Sequence, residues 1–220
     1  MSELEAPLAI TNEQRLRLLN GVFDGYFADV TSEVVIDSHR YWHYDLAALD
    51  LLRPQAKVIC CVRSPAWILD STERLVQKSP LHNARMMGTG VSQSVYDRVE
   101  QMMGPHYLGG PLRGFRQAWF GDHARKLVVV RYDSLAERPA ETMSRLYALL
   151  GEPPFVHDVD HVSHEEPELD RHLGLPDMHT VRGPISMVRR QTVLPPEVFK
   201  QYDNSFWDQP AANPRNVAVI

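Results

Sequence analysis

The stretch that most constrains the fold runs from Lys57 to Val76, KVICCVRSPAWILDSTERLV. Its first six residues are mostly apolar and partly β-branched, which is typical of a strand buried on both faces of a parallel sheet. A helix should follow, because Ser64 can cap its first amides and Pro65 suits the first helical position. Arg63 then lies at the carboxyl end of a strand and beside a helix N-terminus, where open α/β sheets bind anions. The sequence therefore predicts a phosphate site around Arg63.

Strand and helix patterns alternate along the rest of the chain. Residues 33–37, EVVID, and residues 127–131, LVVVR, predict two further strands. The first helical pattern opens with a capping box, Thr11 with Gln14, and is amphipathic. Periodicity, caps and breakers predict helices over residues 11–26, 44–52, 92–103, 112–123, 139–150 and 195–202. This β-α-β-α order predicts an α/β fold with a parallel central sheet and right-handed crossovers.

Composition narrows the classes of function. A chain of 220 residues with 44% hydrophobic content suits one domain, residues 1–220, with a real core. A net charge of −5 gives no general basic field, so we expect no nucleic-acid partner. No apolar run is long enough to cross a membrane and the first ten residues are acidic, so we expect a cytoplasmic protein without a membrane partner. Cys60 and Cys61 are expected to be core residues.

Two regions lack a regular pattern. Residues 79–114 are rich in glycine and proline and predict a lid that shapes an acceptor pocket; their methionines, Met86, Met87, Met102 and Met103, could line that pocket or pack in the core. Residues 155–220 are expected to wrap the sheet. They include His157, His161 and His164, whose spacing would suit zinc on a helix. Nearby prolines and the lack of an H-E-x-x-H pattern argue against a metal, and we expect none.

Val62-Arg63-Ser64-Pro65, followed by Ser71, resembles the 3′-phosphate-binding segment of sulfotransferases that use 3′-phosphoadenylyl sulfate (PAPS). Residues 127–155 resemble the strand, tyrosine turn and helix that follow in bacterial members of that family, and the resemblance spans roughly residues 11–208. It implies a P-loop NTPase-like, three-layer sulfotransferase fold. It also implies transfer of a sulfuryl group from PAPS, as co-substrate, to a hydroxyl or amine of a small-molecule acceptor, with no metal required.

The resemblance also implies a set of cofactor-binding residues. Arg63 and Ser71 would hold the 3′-phosphate, and Tyr132 would lie near the adenine. A late basic segment closes over the 3′-phosphate in the family, and Arg182, in VRGPISMVRR, is the nearest equivalent. A solvated loop is the alternative for this stretch, which also contains Arg189 and Arg190.

A general base is the remaining requirement, because the acceptor must lose a proton. Asp37-Ser38-His39 falls where many sulfotransferases place their catalytic histidine, and an imidazole can accept a proton near neutral pH. His39 follows a predicted strand, at the edge where reacting groups collect. A histidine that merely caps a turn is the alternative, and Arg40 and His43 compete for the same roles.

The sequence departs from the family at its beginning. Family members open with a strand, a short Gly/Ser/Thr-rich loop that holds the 5′-phosphosulfate, and a helix. Here the first thirty residues contain only two glycines, Gly21 and Gly25, and no G-x-x-x-x-G-K-[ST] pattern occurs anywhere in the sequence. The alternative function is therefore a non-catalytic or truncated relative that at most binds 3′-phosphoadenosine 5′-phosphate (PAP). Such a chain would expose a sheet edge or cleft and could form homo-oligomers.

A nucleotide or metabolite kinase is a third possibility on a related fold. Against it, the chain has no Walker lysine and no clear pair of magnesium-binding carboxylates.

Overall fold

The structure is a computed structural model, and it describes residues 10–78, 94–173, 179–209, 211 and 213–220. Residues 79–93, the first part of the predicted lid with Met86 and Met87, lie outside these residues. The helices are α1 (Asn12–Tyr26), α2 (Leu46–Leu52), α3 (Pro65–Lys78), α4 (Val95–Met102), α5 (Gly109–Phe120), α6 (Tyr132–Glu137), α7 (Pro139–Leu150), α8 (Pro167–Leu173) and α9 (Pro196–Tyr202). The strands are β1 (Val58–Val62), β2 (Leu127–Arg131), β3 (Val162–His164), β4 (Val181–Gly183) and β5 (Ala218–Val219).

Three parallel strands form the main sheet in the order β1-β2-β5. β1 pairs with β2 along its whole length, from Val58 opposite Leu127 to Val62 opposite Arg131. β5 pairs with the other side of β2. A separate antiparallel pair joins β3 and β4. The predicted α/β class with a parallel sheet is therefore confirmed, and β2 lies at its centre.

β1 is less buried than the sequence predicts. Among the residues that the structure describes, only β2 pairs with β1, so one edge of β1 has no neighbouring strand. Val58 is buried, but Cys61 is exposed and the remaining residues are half-buried. The expectation of two buried faces and two core cysteines was therefore wrong for Cys61. Cys60 is half-buried. Burial is the main cause that raises the pKa of its thiol to about 12, and the neighbouring Cys61 thiol adds to it, so Cys60 is unreactive at neutral pH.

Residues 33–37 do not form the predicted strand. Val34, Val35 and Ile36 are exposed, and no backbone ladder joins this segment to another described residue. Asp37 accepts a hydrogen bond from Trp42 Nε1 at 2.6 Å, which ties the end of the segment to the short 3-10 turn at Trp42–Tyr44. High β propensity produces a strand only where a neighbour supplies hydrogen bonds and burial.

The core lies between the main sheet and helices α2 and α5. Phe115 and Trp119 on α5 pack against Phe206, with ring centroids 5.4 and 5.5 Å away, and Trp207 joins the same cluster. The C-terminal segment thus supplies aromatic side chains to the core before β5 joins the sheet. A second cluster joins α3, α4 and α9, and Met102 and Met103 pack there rather than in a cavity lining.

The N-terminal helix is formed as predicted but packs loosely. Thr11 Oγ1 accepts a hydrogen bond from the Gln14 amide at 3.2 Å, and Gln14 Oε1 accepts one from the Thr11 amide at 2.7 Å, which completes the predicted capping box. None of the helix residues is buried. Within the part of the chain that is described, no helix combines the length and the apolar character needed to span a bilayer.

Candidate active site

Arg63 and Tyr132 meet because their strands pair in register. Val62, the last residue of β1, lies opposite Arg131, the last residue of β2. The residues that follow these two strands, Arg63 and Tyr132, therefore lie at the same carboxyl edge of the sheet. Arg63 Cζ lies 4.1 Å from the centroid of the Tyr132 ring. A guanidinium at this distance is attracted to an aromatic ring, which fixes its position without neutralising its charge. Two residues that the sequence assigned to one site are therefore brought together.

The Arg63 guanidinium has no counter-ion among the described residues. Its Nε is buried and makes no hydrogen bond, and no carboxylate lies within ion-pair distance. A buried donor left without a partner costs about 1–3 kcal/mol, and more on a charged group. Such groups are rare in folded proteins and concentrate where a ligand supplies the missing partner. Arg63 therefore has the properties of an anion-binding residue.

A basic cavity of about 530 Å³ lies beside Arg63. Five arginines line it against two carboxylates, together with Trp67, Ser134, Met187 and Val188. The arginines are Arg63, Arg131, Arg138, Arg189 and Arg190, and the carboxylates are Asp133 and Glu137. Arg131, Arg138 and Arg190 pair with carboxylates outside the lining, so Arg63 and Arg189 are the lining arginines without a carboxylate partner among the described residues. Guanidinium groups bind phosphate through paired N–H donors, so these two arginines suit a phosphate.

Two of these arginines come from one segment that Asp70 fastens to α3. The Asp70 carboxylate is fully buried and accepts a hydrogen bond from the Val193 amide at 2.7 Å and from Arg74 Nε at 3.1 Å. Arg190 Nη2 lies 2.9 Å from the same carboxylate, but the angle does not satisfy a hydrogen bond, so donors of Arg190 remain unused. Arg189 is exposed and forms no ion pair within the described ranges.

Of the four predicted cofactor-binding residues, Arg63 lines this cavity, whereas Tyr132, Ser71 and Arg182 do not. Ser71 is half-buried on α3, one helical turn after Trp67, and so shares the helical face that borders the cavity. Arg182 lies on β4 and donates from Nε to Glu165 at 3.1 Å. Arg189 and Arg190 reach the cavity instead. No signal for this is present in the local sequence, because Arg182 lies in the same stretch without acidic residues, between Asp177 and Glu197.

An apolar cavity of about 250 Å³ runs along β1. All five residues of β1 line it, and so do Leu108, Pro111, Leu112 and Phe115 on the side of α5. Arg63 lines this cavity as well as the basic one, so the two cavities meet at its side chain. The remaining lining residues are His39, Arg40, His43, Pro65, Ile68 and Trp207.

The two histidines of this cavity differ in their surroundings. His39 is exposed, with ring centroids of Tyr41 and Trp42 at 5.6 and 6.2 Å. It does not follow a strand, so that part of its prediction was wrong, although it does line a cavity next to Arg63. His43 lies in the 3-10 turn and is only 8% exposed, and its buried Nε2 has no hydrogen-bond partner among the described residues.

The turn that carries His43 is held against the start of α5. The Tyr44 hydroxyl donates a hydrogen bond to the Gly110 carbonyl at 2.7 Å. Gly114, one turn later, leaves room for the Tyr44 ring, because a Cβ at that position would come within 2.2 Å of it. Burial lowers the pKa of His43, opposed by a hydrogen bond to the backbone of Pro111 and by the charge of Asp45. The imidazole is therefore kept neutral at pH 7.

The histidines considered for zinc are dispersed. His157 contacts the Tyr147 hydroxyl at 3.1 Å, His161 pairs with Asp158, and His164 lies on β3. No group of three or more metal-ligating side chains occurs within the described ranges.

Comparison with known proteins agrees with the resemblance noted in the sequence. A family model described as the sulfotransferase family matches residues 5–158, which is well over half of the chain and includes His39, Arg63 and Tyr132. No curated protein matches the chain, and no solved structure matches it either. The family supports a transferase activity in general. On the extent of this match, the chain belongs to the sulfotransferase family.

Proposed function

We propose that this chain transfers a sulfuryl group from PAPS to a hydroxyl or amine of a small-molecule acceptor. Membership of the family supports sulfuryl transfer in general. The observation that carries the donor assignment is Arg63, a guanidinium at a strand end with a buried, unpaired Nε and no carboxylate partner within the described ranges. A phosphate group of the donor would supply that partner.

The basic cavity would hold the 3′-phosphate of PAPS. Arg63 would bind it from the strand end and Arg189 and Arg190 from the opposite segment, because these three side chains border one cavity. Ser71 would contribute a hydroxyl from the Trp67 face of α3. Each charge-assisted hydrogen bond contributes about 1.5–3 kcal/mol. Tyr132 would flank the adenine with the ring face that Arg63 does not cover.

PAPS supplies an activated sulfuryl group when it is bound, and the chain must then position the acceptor and remove its proton. Arg63 borders both cavities, so an acceptor in the apolar cavity would lie next to the donor. His39 is the histidine at the position that resembles the family's base, and His43 lines the same cavity. One of these two imidazoles would take the proton.

A non-catalytic relative that binds PAP is the second candidate. The absence of a G-x-x-x-x-G-K-[ST] pattern from the sequence favours it, because the 5′-phosphosulfate then lacks its usual loop. The two candidates share the basic cavity and differ only in turnover.

Calorimetric titration with PAP tests whether the basic cavity binds the nucleotide, which both candidates require. We expect the wild-type chain to bind PAP and Arg63→Ala to bind it at least tenfold more weakly, a loss of about 1.4 kcal/mol. Arg63→Lys should recover only part of the loss, because an ammonium cannot bind phosphate bidentately. Arg182→Ala is the matched control and should change the affinity less than twofold, since Glu165 holds that side chain outside the cavity lining.

Two results would overturn the donor assignment: a well-folded wild type that does not bind PAP, or PAP affinity that is insensitive to Arg63→Ala. Incubation with PAPS and a panel of hydroxyl and amine acceptors then separates the two candidates. Release of PAP together with a sulfated product identifies an enzyme, and tight binding without turnover identifies the non-catalytic relative.

A further inference from the structure

We propose that one face of α1 is the interface of a homodimer, in which the α1 helices of two copies pack antiparallel around a twofold axis at Val22. α1 is fifteen residues long and none of its residues is buried, although it carries several large apolar side chains. A helix in water depends for most of its stability on the packing of its apolar face. The interface is independent of the reaction proposed above. Three features of α1 lead to it: an exposed apolar face, two unpaired charges and a symmetric spacing.

One side of α1 faces the rest of the chain. Phe23 is half-buried there, and its ring centroid lies 6.1 Å from that of Trp42. Arg53 holds the same side, because its guanidinium donates to the Asn20 side chain and lies 5.0 Å from the centroid of the Phe23 ring. These contacts determine which side of α1 remains free.

The side of α1 that points away from these contacts is apolar and exposed. Leu18, Val22 and Tyr26 are 60%, 67% and 77% exposed, and Leu19, beside them, is 46% exposed. Residues four apart lie on one face of a helix, so the first three form a continuous stripe. Contiguous exposed apolar side chains mark an interaction surface.

The charges at the two ends of this stripe lack partners. Arg15 and Asp29 form no ion pair with any residue that the structure describes, whereas the other three charged residues of α1 each lie in an ion pair. Asp29 lies in the turn that continues α1, because the Ala28 and Val30 amides donate to carbonyls three residues earlier. In an antiparallel pair the beginning of one helix meets the end of the other. Arg15 therefore meets Asp29 of the partner subunit, and the two charges are opposite.

The spacing along the stripe is symmetric about Val22. Leu18 and Tyr26 lie four residues before and after it, and Arg15 and Asp29 lie seven residues before and after it. Offsets of four and seven keep all five positions on one face of a helix. With both copies of Val22 on the axis, Leu18 packs against Tyr26 of the partner subunit, and every contact occurs twice. A surface that complements itself in spacing and in charge fits a second copy of this chain.

A lipid surface is the other occupant that an exposed apolar helix face could take. Helices that lie on membranes are rich in lysine and arginine on their polar side. Residues 11–30 contain two arginines and three carboxylates, so an anionic bilayer would not attract this region. A second copy is therefore favoured. Four large apolar side chains per copy and two symmetric ion pairs make a small interface, so we expect a dissociation constant in the micromolar range.

Sedimentation velocity on the whole chain, from about 1 to 200 µM, measures the monomer–dimer equilibrium. We expect the wild type to shift from monomer to dimer across this range. Val22→Lys should remain monomeric throughout, because it brings two like charges together at the axis. Leu51→Lys is the matched control, because Leu51 is 69% exposed on α2, and it should dimerise like the wild type. A wild type that stays monomeric, or a dimer that survives Val22→Lys, would overturn the inference.

Charge reversal tests the antiparallel register. Arg15→Glu or Asp29→Lys alone should weaken the dimer about tenfold at low salt, because each change sets like charges against each other in two symmetric positions. The double variant carries the reversed pair and should dimerise like the wild type. It should not form mixed dimers with the wild type, because both of their end contacts would then join like charges. A double variant that fails to recover dimerisation would contradict the register.

Cross-linking tests the axis in a variant that adds no charge. Val22→Cys should form an intermolecular disulfide on mild oxidation, because the two copies of this position come together at the axis. Leu51→Cys is the matched control and should not, and the wild type controls for Cys61, which is exposed. Co-sedimentation with vesicles of phosphatidylcholine and phosphatidylserine tests the other occupant. A wild type that binds these vesicles without dimerising, and loses the binding in Val22→Lys, would assign the face to a membrane and refute the dimer.

Discussion

Asp70 connects the stability of the fold to the shape of the basic cavity. Its buried carboxylate accepts hydrogen bonds from the Val193 amide and from Arg74, and it pairs with Arg190, so it holds the arginine segment against α3. Asp70→Ala removes these interactions together. Asp70→Asn keeps the shape and an oxygen that can accept from Val193, but it removes the charge.

The expected loss of stability follows from the surroundings of Asp70. Breaking a buried ion pair by deleting one partner costs about 3–5 kcal/mol. The side chains of Arg74 and Arg190 are 31% and 28% exposed, so water can hydrate both guanidinium groups when the carboxylate is removed. We therefore expect Asp70→Ala to lower the free energy of unfolding by about 3 kcal/mol, the lower end of that range. For Asp70→Asn we expect about 2 kcal/mol, the value of a charge-assisted hydrogen bond.

Urea unfolding, followed by tryptophan fluorescence, measures both losses. Asp122→Asn is the matched control, because Asp122 also pairs with an arginine, Arg215, but is 85% exposed. Exposed pairs contribute about 0–1 kcal/mol, so the free energy of unfolding should change little. Equal losses for Asp70→Asn and Asp122→Asn would refute the reasoning. Unchanged PAP affinity in folded Asp70→Asn would refute the claim that this contact positions Arg190.

The pH dependence gives a second check on Asp70. Burial alone would raise the pKa of Asp70, but hydrogen bonds from Val193, Arg74 and Thr192 outweigh it and lower the pKa. A lowered pKa stabilises the fold above the unfolded-state pKa, which is about 3.9, and this stabilisation is lost as the pH falls through the folded-state pKa. The difference in unfolding free energy between wild type and Asp70→Asn should therefore shrink below about pH 4.

Two further substitutions, each with a control, test close contacts elsewhere in the fold. Lys126 is 2% exposed, and its Nζ donates to the carbonyls of residues 53, 54 and 56 at 2.8–3.1 Å. Lys126→Met should therefore lower the free energy of unfolding, measured by urea unfolding, by about 3 kcal/mol. Lys57→Met, which removes an exposed bond to a carbonyl, should cost under about 1 kcal/mol, and equal losses would contradict the account. Gly114→Ala should lower the free energy of unfolding by about 1 kcal/mol or more, because the added Cβ displaces the Tyr44 ring. Gly21→Ala is the control, because a Cβ there meets nothing within 4 Å, and it should stabilise α1 by up to about 1 kcal/mol. Thermal melts measure both changes.

The parts of the fold that the sequence predicts well are those with local signals. The apolar run of β2 has the bounds that were predicted, and α7 begins at Pro139 and ends before Gly151, which adopts a φ of 79°. The meeting of Arg63 and Tyr132 also follows from local signals, because both follow a parallel strand and equal register brings them to one edge. Local sequence signals were therefore enough to predict these elements.

The parts that the sequence misses depend on tertiary pairing. The EVVID segment has the β propensity of a strand, yet nothing in its own residues determines whether the edge of β1 accepts it. β5 is two residues long and becomes a strand only because β2 supplies its partner. Similarly, the β3–β4 pairing brings Arg182 next to Glu165, which pairs with it, whereas Arg189 and Arg190 line the basic cavity together with Arg63.

The position of Arg63 between the two cavities couples the donor to the acceptor. Without an anion, the guanidinium presents an unneutralised charge to the apolar cavity, which disfavours an apolar occupant there. A phosphate in the basic cavity would neutralise that charge, so PAP should tighten the binding of an acceptor in the apolar cavity, and by reciprocity the acceptor should tighten the binding of PAP by the same factor. Arg63→Ala removes the shared charge and should make the two affinities independent. Donor and acceptor should therefore bind cooperatively, because one side chain borders both sites.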